Sequence, residues 1–489
     1  MKLRKSLVGI SVASALLAMS GNAAASAFAL IEQSSGLGNA FAGGAAAAED
    51  ATTIFFNPAG MSRLKGKQVS VAGSFIKPSA KFSDTGSVAG SAQISALGGK
   101  GLGDNGGDAG SLALVPNTYM VMELEPTLRF GLGINAPFGL KTEYSSTWAG
   151  RYQAIKSKLE TINVNPSLSY TVNDTVSLGL GLNYQHITGD LTSATNFAGG
   201  VYAASYSAVV GSVGATTAAT MAANAAGLAN AAGQGEGLST LTGSDSQWGY
   251  NFGALFNVDP QTRVGVAYRS KIKYNLSGNV AVSDNRPTAA TLTPAFAGLG
   301  AAAGTVATGV ANYIASKSAN GSIVLPIEMP ATFSVSGFRN LDNKWDIMAD
   351  ATWTGWGTFQ QLKVDYTNGT NLQTTPENWK NTWRFSLGST YHYNDQWLAR
   401  VGIAYDQTPV SDAYRTARIP DNSRKWLALG GQYKFSPTST VDLGYAHLFV
   451  KDATIAQNQN VAGVSANGNL VGNYSNSVDI LSVQYAYNF

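Results

Sequence analysis

From Leu481 to Phe489 the large apolar residues Leu481, Val483, Tyr485, Tyr487 and Phe489 alternate with Ser482, Gln484, Ala486 and Asn488. A period of two sends successive side chains to opposite faces of a β-strand, and a terminal aromatic suits a lipid-facing strand at a membrane interface. The same alternation recurs. In Val176 to Gln185 the residues Val176, Leu178, Leu180, Leu182 and Tyr184 share one face. From Trp383 onward, Trp383, Phe385, Leu387, Tyr391 and Tyr393 oppose Arg384, Ser386, Thr390 and His392. Trp397, Val401, Ile403 and Tyr405 stand against Arg400 and Asp406. Beyond the N-terminus, no strongly apolar run reaches the roughly 20 residues of a membrane-crossing helix. The expected fold is an all-β membrane protein, a transmembrane β-barrel of the outer membrane.

Counting such segments gives starts near Gln68, Ser111, Thr127, Leu159, Thr175, Gln247, Thr262, Ile323, Lys344, Trp379, Gln396, Lys425, Thr440 and Ser477. That is about fourteen antiparallel strands, an even number as bacterial single-chain barrels have. Short turns at Glu125-Pro126, Asn173-Asp174, Asp259-Pro260, Asp342-Asn343, Asn394-Asp395 and Ser436-Pro437 would face the periplasm, and long Gly/Ala/Ser-rich loops the exterior. The two longest loops, Ser193 to Asp245 and Asp284 to Gly321, are rich in Ala and are expected to carry short helices with an apolar face.

Lys2, Arg4 and Lys5 precede an apolar stretch and Ala23-Ala24-Ala25, so residues 1–25 read as a cleaved signal peptide. Residues 26–66 show no strand alternation but concentrate Gly36, Gly38, Gly43, Gly44 and Ala45 to Ala48. A barrel this wide is not filled by its own side chains, so this segment is expected to be an N-terminal plug inside a barrel spanning 67–489.

Several function classes are disfavoured. The chain has no cysteine, and its formal net charge of +3 is spread along it without a basic cluster. His186, His392 and His447 lie far apart, without metal-ligand spacing and without a neighbouring serine nucleophile. An outer-membrane lipid hydrolase is therefore disfavoured, no enzyme is expected, and no cofactor is implied. A general porin would carry an open, often charged channel, whereas here an Ala/Gly-rich plug meets 12% charged residues. An energised transporter of larger strand number would need a whole plug domain.

Ser34-Ser35-Gly36-Leu37-Gly38-Asn39-Ala40, Asn57-Pro58-Ala59, Gly139-Leu140-Lys141-Thr142-Glu143-Tyr144, Gln247-Trp248-Gly249, Trp356 through Phe359-Gln360-Gln361-Leu362-Lys363, and Ile419-Pro420-Asp421 follow one another across the mature chain. Together they resemble the FadL-type family of outer-membrane long-chain fatty-acid transporters. The resemblance implies a fourteen-stranded barrel with an N-terminal hatch and passive, substrate-driven uptake. The ligand would be captured among the outer loops, pass to an internal pocket, and leave sideways beside an inward kink in the third strand. Aromatic-hydrocarbon uptake by the same route is the alternative.

Asn135-Ala136-Pro137-Phe138-Gly139 falls in that third strand. Pro137 has no amide hydrogen and Gly139 eases a bend, so the segment reads either as the strand's outer end or, on the resemblance, as an opening in the wall. An acid ligand needs a cation or polar donor for its head. The resemblance puts Lys363 in that role, with snorkelling at the rim as its alternative. Where some family members carry an arginine at the start of the third outer loop, this chain has Asn196 and Phe197, and Arg384, Arg400 or Arg418 could substitute from the lumen side, with a structural role in a polar barrel interior as the alternative for each. Asn57, Pro58 and Ala59 are expected to fix the plug, with Phe55 and Phe56 lining the path beside it. The expected partners are a long-chain fatty acid or other hydrophobic small molecule, outer-membrane lipid and lipopolysaccharide, and the barrel-assembly machinery through the strand ending in Phe489.

Overall fold

The computed structural model describes residues 27–29, 31, 35–88, 102–458 and 467–489. The expected signal peptide lies outside the described residues. The chain closes into a fourteen-stranded antiparallel barrel. Its first six strands are Lys67–Asp84, Ala113–Glu125, Leu128–Asn135 continued by Gly139–Glu143, Lys156–Thr171, Val176–Asn196 and Glu236–Asn257. The seventh to tenth are each broken in two: Thr262–Arg269 and Ile272–Val282, Gly321–Met329 and Thr332–Asn340, Trp345–Thr354 and Gln361–Tyr366, Asn371–Pro376 and Thr382–His392. Trp397–Asp406, Arg424–Ser436, Ser439–Val450 with Ala453–Asn458, and Asn469–Asn488 complete the wall. The first strand pairs with the last from Gln68 opposite Asn488 to Asp84 opposite Gly472, which closes the cylinder.

The period-two pattern decides which side of each strand meets lipid. Leu481, Val483, Tyr485, Tyr487 and Phe489 are exposed on the outside, whereas Ser482, Gln484 and Ala486 are buried inside. Leu178, Leu180, Leu182 and Tyr184 repeat this against buried Ser177, Asn183 and Gln185. The short turns are set by Asx side chains. Asn173 Oδ1 accepts from the amides of Thr175 and Val176 at 2.9 Å, and Asn394 Oδ1 accepts from Gln396 and Trp397 at 2.9 and 2.8 Å.

Three strands begin earlier than the alternation indicates: the sixth at Glu236 rather than Gln247, the tenth at Asn371 rather than Trp379, and the last at Asn469 rather than Ser477. Their early portions lack the apolar alternation on the outer face: Thr240, Thr242 and Ser244 stand in the positions that Trp248, Tyr250 and Phe252 take farther along the sixth strand.

The long outer loops are helical, as their Ala content indicates. Phe197–Val213 and Ala215–Ala231 pack together through Ala198, Tyr202, Ala222 and Ala226, with Gly214 at φ 80° between them. The stretch Ala289–Lys317 is long and apolar enough to cross a membrane, contrary to the expectation that no such run exists. It breaks at Gly300, φ 58°, and buries Leu292, Phe296, Val310 and Ile314 within the loop cluster instead.

Candidate functional site: a held plug, two cavities and a window in the wall

Residues 35–66 form short helical turns inside the cylinder, and the wall is shaped to receive them. A Cβ on Gly179 would lie 2.2 Å from Ala59 N, on Gly265 1.9 Å from Ala45 O, and on Gly402 2.1 Å from the Asn39 carbonyl carbon. Only glycine lets the two backbones approach so closely. Inward-facing arginines then satisfy plug carbonyls that the helical turns leave unpaired. Arg129 Nε donates to Leu64 O at 3.1 Å, Arg263 to Ala46 and Ala47 at 3.1 Å each, Arg269 Nη2 to Phe55 O at 3.0 Å, and Arg384 to Ala40 O. Arg400 bridges Glu49 of the plug at 2.8 Å and Asp442 of the wall at 2.5 Å.

Asn57 is fully buried and serves both sides. Its Nδ2 donates to Ala45 O at 2.7 Å and to Ala254 O of the sixth strand at 3.0 Å, while its Oδ1 accepts from Ala59 N at 3.0 Å. Pro58 follows as the first residue of the turn Pro58–Arg63, where its missing amide costs nothing. Ser169 Oγ caps Ala59 O at 3.1 Å.

The third strand is interrupted between Asn135 and Gly139, and the second strand leaves it there. Their pairing runs from Glu125 opposite Leu128 to Thr118 opposite Ile134 and stops, although the second strand continues against the first as far as Ala113. Above the break, Gly139–Glu143 pairs with the fourth strand, and contact with the preceding loop resumes where Glu143 N donates to Ala109 O at 3.0 Å. The result is a window in the wall between Asn117 and Gly110 on one edge and Asn135 and Thr142 on the other. Pro116 stands on one edge and Pro137 on the other, so neither can supply a ladder amide. Phe138 is turned inward and held by Thr161, whose Oγ1 accepts from Phe138 N at 2.9 Å and contacts Phe138 O at 2.7 Å.

The N-terminal residues reach this kink from inside. Gly139 N donates to Phe28 O at 2.9 Å, Ala29 bridges Phe138, and Ala27 N donates to Asp421 Oδ2 at 3.1 Å. Two cavities flank this junction. The outer one is apolar, lined by Phe28, Leu140, Leu159, Leu276, Ile323 and Phe359 among others, with Glu377 and Arg418 on its wall. The inner one lies between plug and barrel, lined by Ala29, Phe55, Phe56, Pro137, Phe138 and Trp356 and by the polar Arg269, Asp350 and Arg384. The Phe28 ring lines the outer cavity and packs on Phe138 and Trp356, which line the inner one. Its centroid lies 4.6 Å from Trp356, 5.4 Å from Trp379, 5.9 Å from Phe359 and 6.3 Å from Phe138.

The family described as outer membrane protein transport protein (OMPP1/FadL/TodX) matches residues 16–489. The chain belongs to this FadL-type family. It is 31% identical over 415 residues to the long-chain fatty acid transport protein of Escherichia coli K12, covering 85% of each chain. It is 32% identical over 462 residues to a 47 kDa outer membrane protein of Pasteurella multocida, covering 94% of this chain and 96% of that one. Among solved structures, a Pseudomonas aeruginosa FadL homologue superposes with TM-score 0.77 at 25% identity, over 95% of this chain and 100% of that one. The Pseudomonas putida toluene transporter TodX shares the fold, with TM-score 0.61 at 17% identity over 95% of this chain and 100% of that one. The protein is thus an outer-membrane barrel of a transport family.

Within this FadL-type barrel the residues singled out from sequence separate into groups. Phe55 and Phe56 line the inner cavity, Pro137 and Phe138 line it at the window, and Arg418 lines the outer cavity. Asn57, Pro58 and Ala59 lie at the plug–wall contact. Asn196 caps the helix Phe197–Val213, its Oδ1 accepting from Gly199 N at 2.8 Å, and Phe197 is buried in the loop core; neither lines the outer or the inner cavity. Lys363 is half exposed and paired with Asp365 at 2.7 Å, while its neighbour Leu362 points into the outer cavity. Alternation along the strand makes that choice: if Leu362 faces in, Lys363 faces out. Lys363→Ala is therefore expected to change fatty-acid affinity by less than about 1 kcal/mol, the scale of an exposed ion pair. Titration of the variant with oleate checks this.

Arg384 and Arg400 are committed to the plug. Sequence reasoning missed Glu377, Phe28 and Pro116. Pro116, within the expected second strand, was the readable signal, because proline inside a closed barrel removes a ladder bond.

Proposed function

We propose that this protein carries hydrophobic compounds, long-chain fatty acids first among them, across the outer membrane without an energy source. The outer loops collect the compound, the apolar outer cavity binds its tail, displacement of the N-terminal residues opens the way to the inner cavity, and the window releases the compound sideways into the bilayer. The observation that carries this reading is the shared backbone of gate and window: Gly139 of the kinked strand is hydrogen-bonded to Phe28, the residue whose ring lines the outer cavity and packs on the wall of the inner one. A tail entering the outer cavity that pushes Phe28 aside also breaks that bond. Each buried methylene contributes about 0.8 kcal/mol, so a long tail supplies the driving energy.

The fatty-acid choice draws on the Escherichia coli relative, named for long-chain fatty acid transport. The toluene transporters share only the fold at their level of identity, and aromatic hydrocarbons remain the second reading. Insertion by the barrel-assembly machinery through the last strand, and contact with lipopolysaccharide around the outer belt, belong to the same proposal. A strain lacking this protein is expected to lose growth on oleate and regain it on complementation. Unchanged oleate uptake with impaired toluene uptake would transfer the assignment to aromatic hydrocarbons.

A further inference from the structure

Arg418 and Glu377 are the two buried ionisable groups on the wall of the outer cavity, 7% and 2% exposed. Each has spent only part of its hydrogen-bonding capacity on protein. Arg418 Nη1 donates to Lys156 O and to Ser157 Oγ, both at 3.1 Å, which fixes the guanidinium and leaves Nε and Nη2 without a protein acceptor among the described residues. Glu377 Oε2 accepts from Trp379 Nε1 at 3.2 Å, and Oε1 has no such partner. No ion pair joins the two among the described residues, although both line one apolar space. A guanidinium buried in such surroundings without a counter-charge is costly, and an anion placed beside it repays that cost.

We propose, on the transport reading above, that Arg418 and Glu377 form a head-group site for acid-headed tails: Arg418 pairs with the anionic head, and the Glu377 carboxyl, carrying its proton, donates a hydrogen bond to it. An ionised Glu377 would both neutralise Arg418 and repel the incoming anion, so the two carboxylates compete for one cation. Tails with neutral heads gain no charge pairing with Arg418 and at most a neutral hydrogen bond. The site therefore separates fatty acids from hydrocarbons of the same apolar bulk, a distinction that the leucines and phenylalanines of the cavity cannot make.

Burial pushes the Glu377 carboxyl up to about 8, with the Trp379 hydrogen bond and Arg418 opposing that rise. Arg418, though lowered by burial to about 10, stays charged at neutral pH. Two other ionisable side chains stand near the site, Tyr144 and Lys158. Tyr144, near Arg418, is a phenol raised further by burial. Lys158 on the fourth strand is held by Glu160 at 2.8 Å. If only the protonated Glu377 admits an anion, affinity for a permanently charged head falls about tenfold between pH 7 and pH 9 as the competing carboxylate ionises.

Titration of dodecane sulfonate and dodecanol into the full chain in lipid nanodiscs, corrected against protein-free discs, tests this. The sulfonate is expected to bind more tightly than the alcohol at pH 7 and about tenfold more weakly at pH 9, while the alcohol binds alike at both. Glu377→Gln should abolish the pH dependence, and Arg418→Gln should bring the sulfonate-to-alcohol affinity ratio toward one. Sulfonate binding that is flat with pH in the wild type, or pH dependence that survives Glu377→Gln, overturns the head-group site. Should Arg418→Gln fail to fold, the Glu377→Gln result alone decides. Binding of neither ligand by the wild type is a separate outcome that overturns the transport reading itself.

Discussion

A barrel whose third strand runs straight should bind oleate and fail to deliver it. Replacing Pro116, Pro137 and Gly139 together by valine restores ladder amides on both window edges and removes the hinge, so the second and third strands can pair beyond Thr118 and Ile134. Uptake of radiolabelled oleate by cells carrying the variant is expected to fall to the level of cells without the protein. The effect is large because no watery detour competes. Taking a long tail from the cavity through water costs about 0.8 kcal/mol per methylene, on the order of 10 kcal/mol in all. Apart from Phe28 and Leu140, the outer cavity is lined from the fourth to tenth strands and the loops, away from the substituted positions, so affinity measured on purified protein should change little. Normal uptake by a correctly folded variant would remove the sideways exit from the mechanism.

The second large effect concerns the seal. Gly179→Leu with Gly402→Leu is expected to expel the plug from its seat, because each added side chain collides with backbone at Ala59 and Asn39 rather than with a side chain that could rotate away. The strands themselves pair through their own backbone, so the barrel should persist, as read by its heat-dependent mobility on gels. An unplugged cylinder of this width holds a continuous water column. Planar-bilayer recordings of the variant should show steady ion conductance where the wild type is closed, and a silent variant would show that residues 35–66 do not make the seal. The arginines that hold plug carbonyls argue for the predicted direction. Arg129, Arg263, Arg269 and Arg384 would all lose acceptors together, so a displaced plug has few intermediate resting positions.

The reach of sequence reasoning differs sharply between wall and lumen. Strand number and sidedness were legible from alternation such as Leu481 to Phe489, and the periplasmic turns from Asn173, Asp259, Asp342 and Asn394, because both are encoded by neighbours in the chain. Lys363 shows where that reach ends. Its block marked the right strand, but whether the lysine or Leu362 faced the cavity depended on register. For Arg384 and Arg400 the sequence left a head-group role and a structural one, and the plug decides for the second, because its carbonyl at Ala40 and its Glu49 accept their hydrogen bonds.

What the chain alone determined is therefore a closed, lipid-facing cylinder with a small-residue segment to stopper it, since a period of two and a tight turn are properties of consecutive residues. The folded molecule decided what the lumen does. It brought Phe28 to Gly139, Pro116 across from Pro137, and Arg418 beside Glu377. Those pairs lie far apart in sequence or on separate strands, and only the closure of the barrel, with its strand register and the seat of the plug, sets which side chains meet.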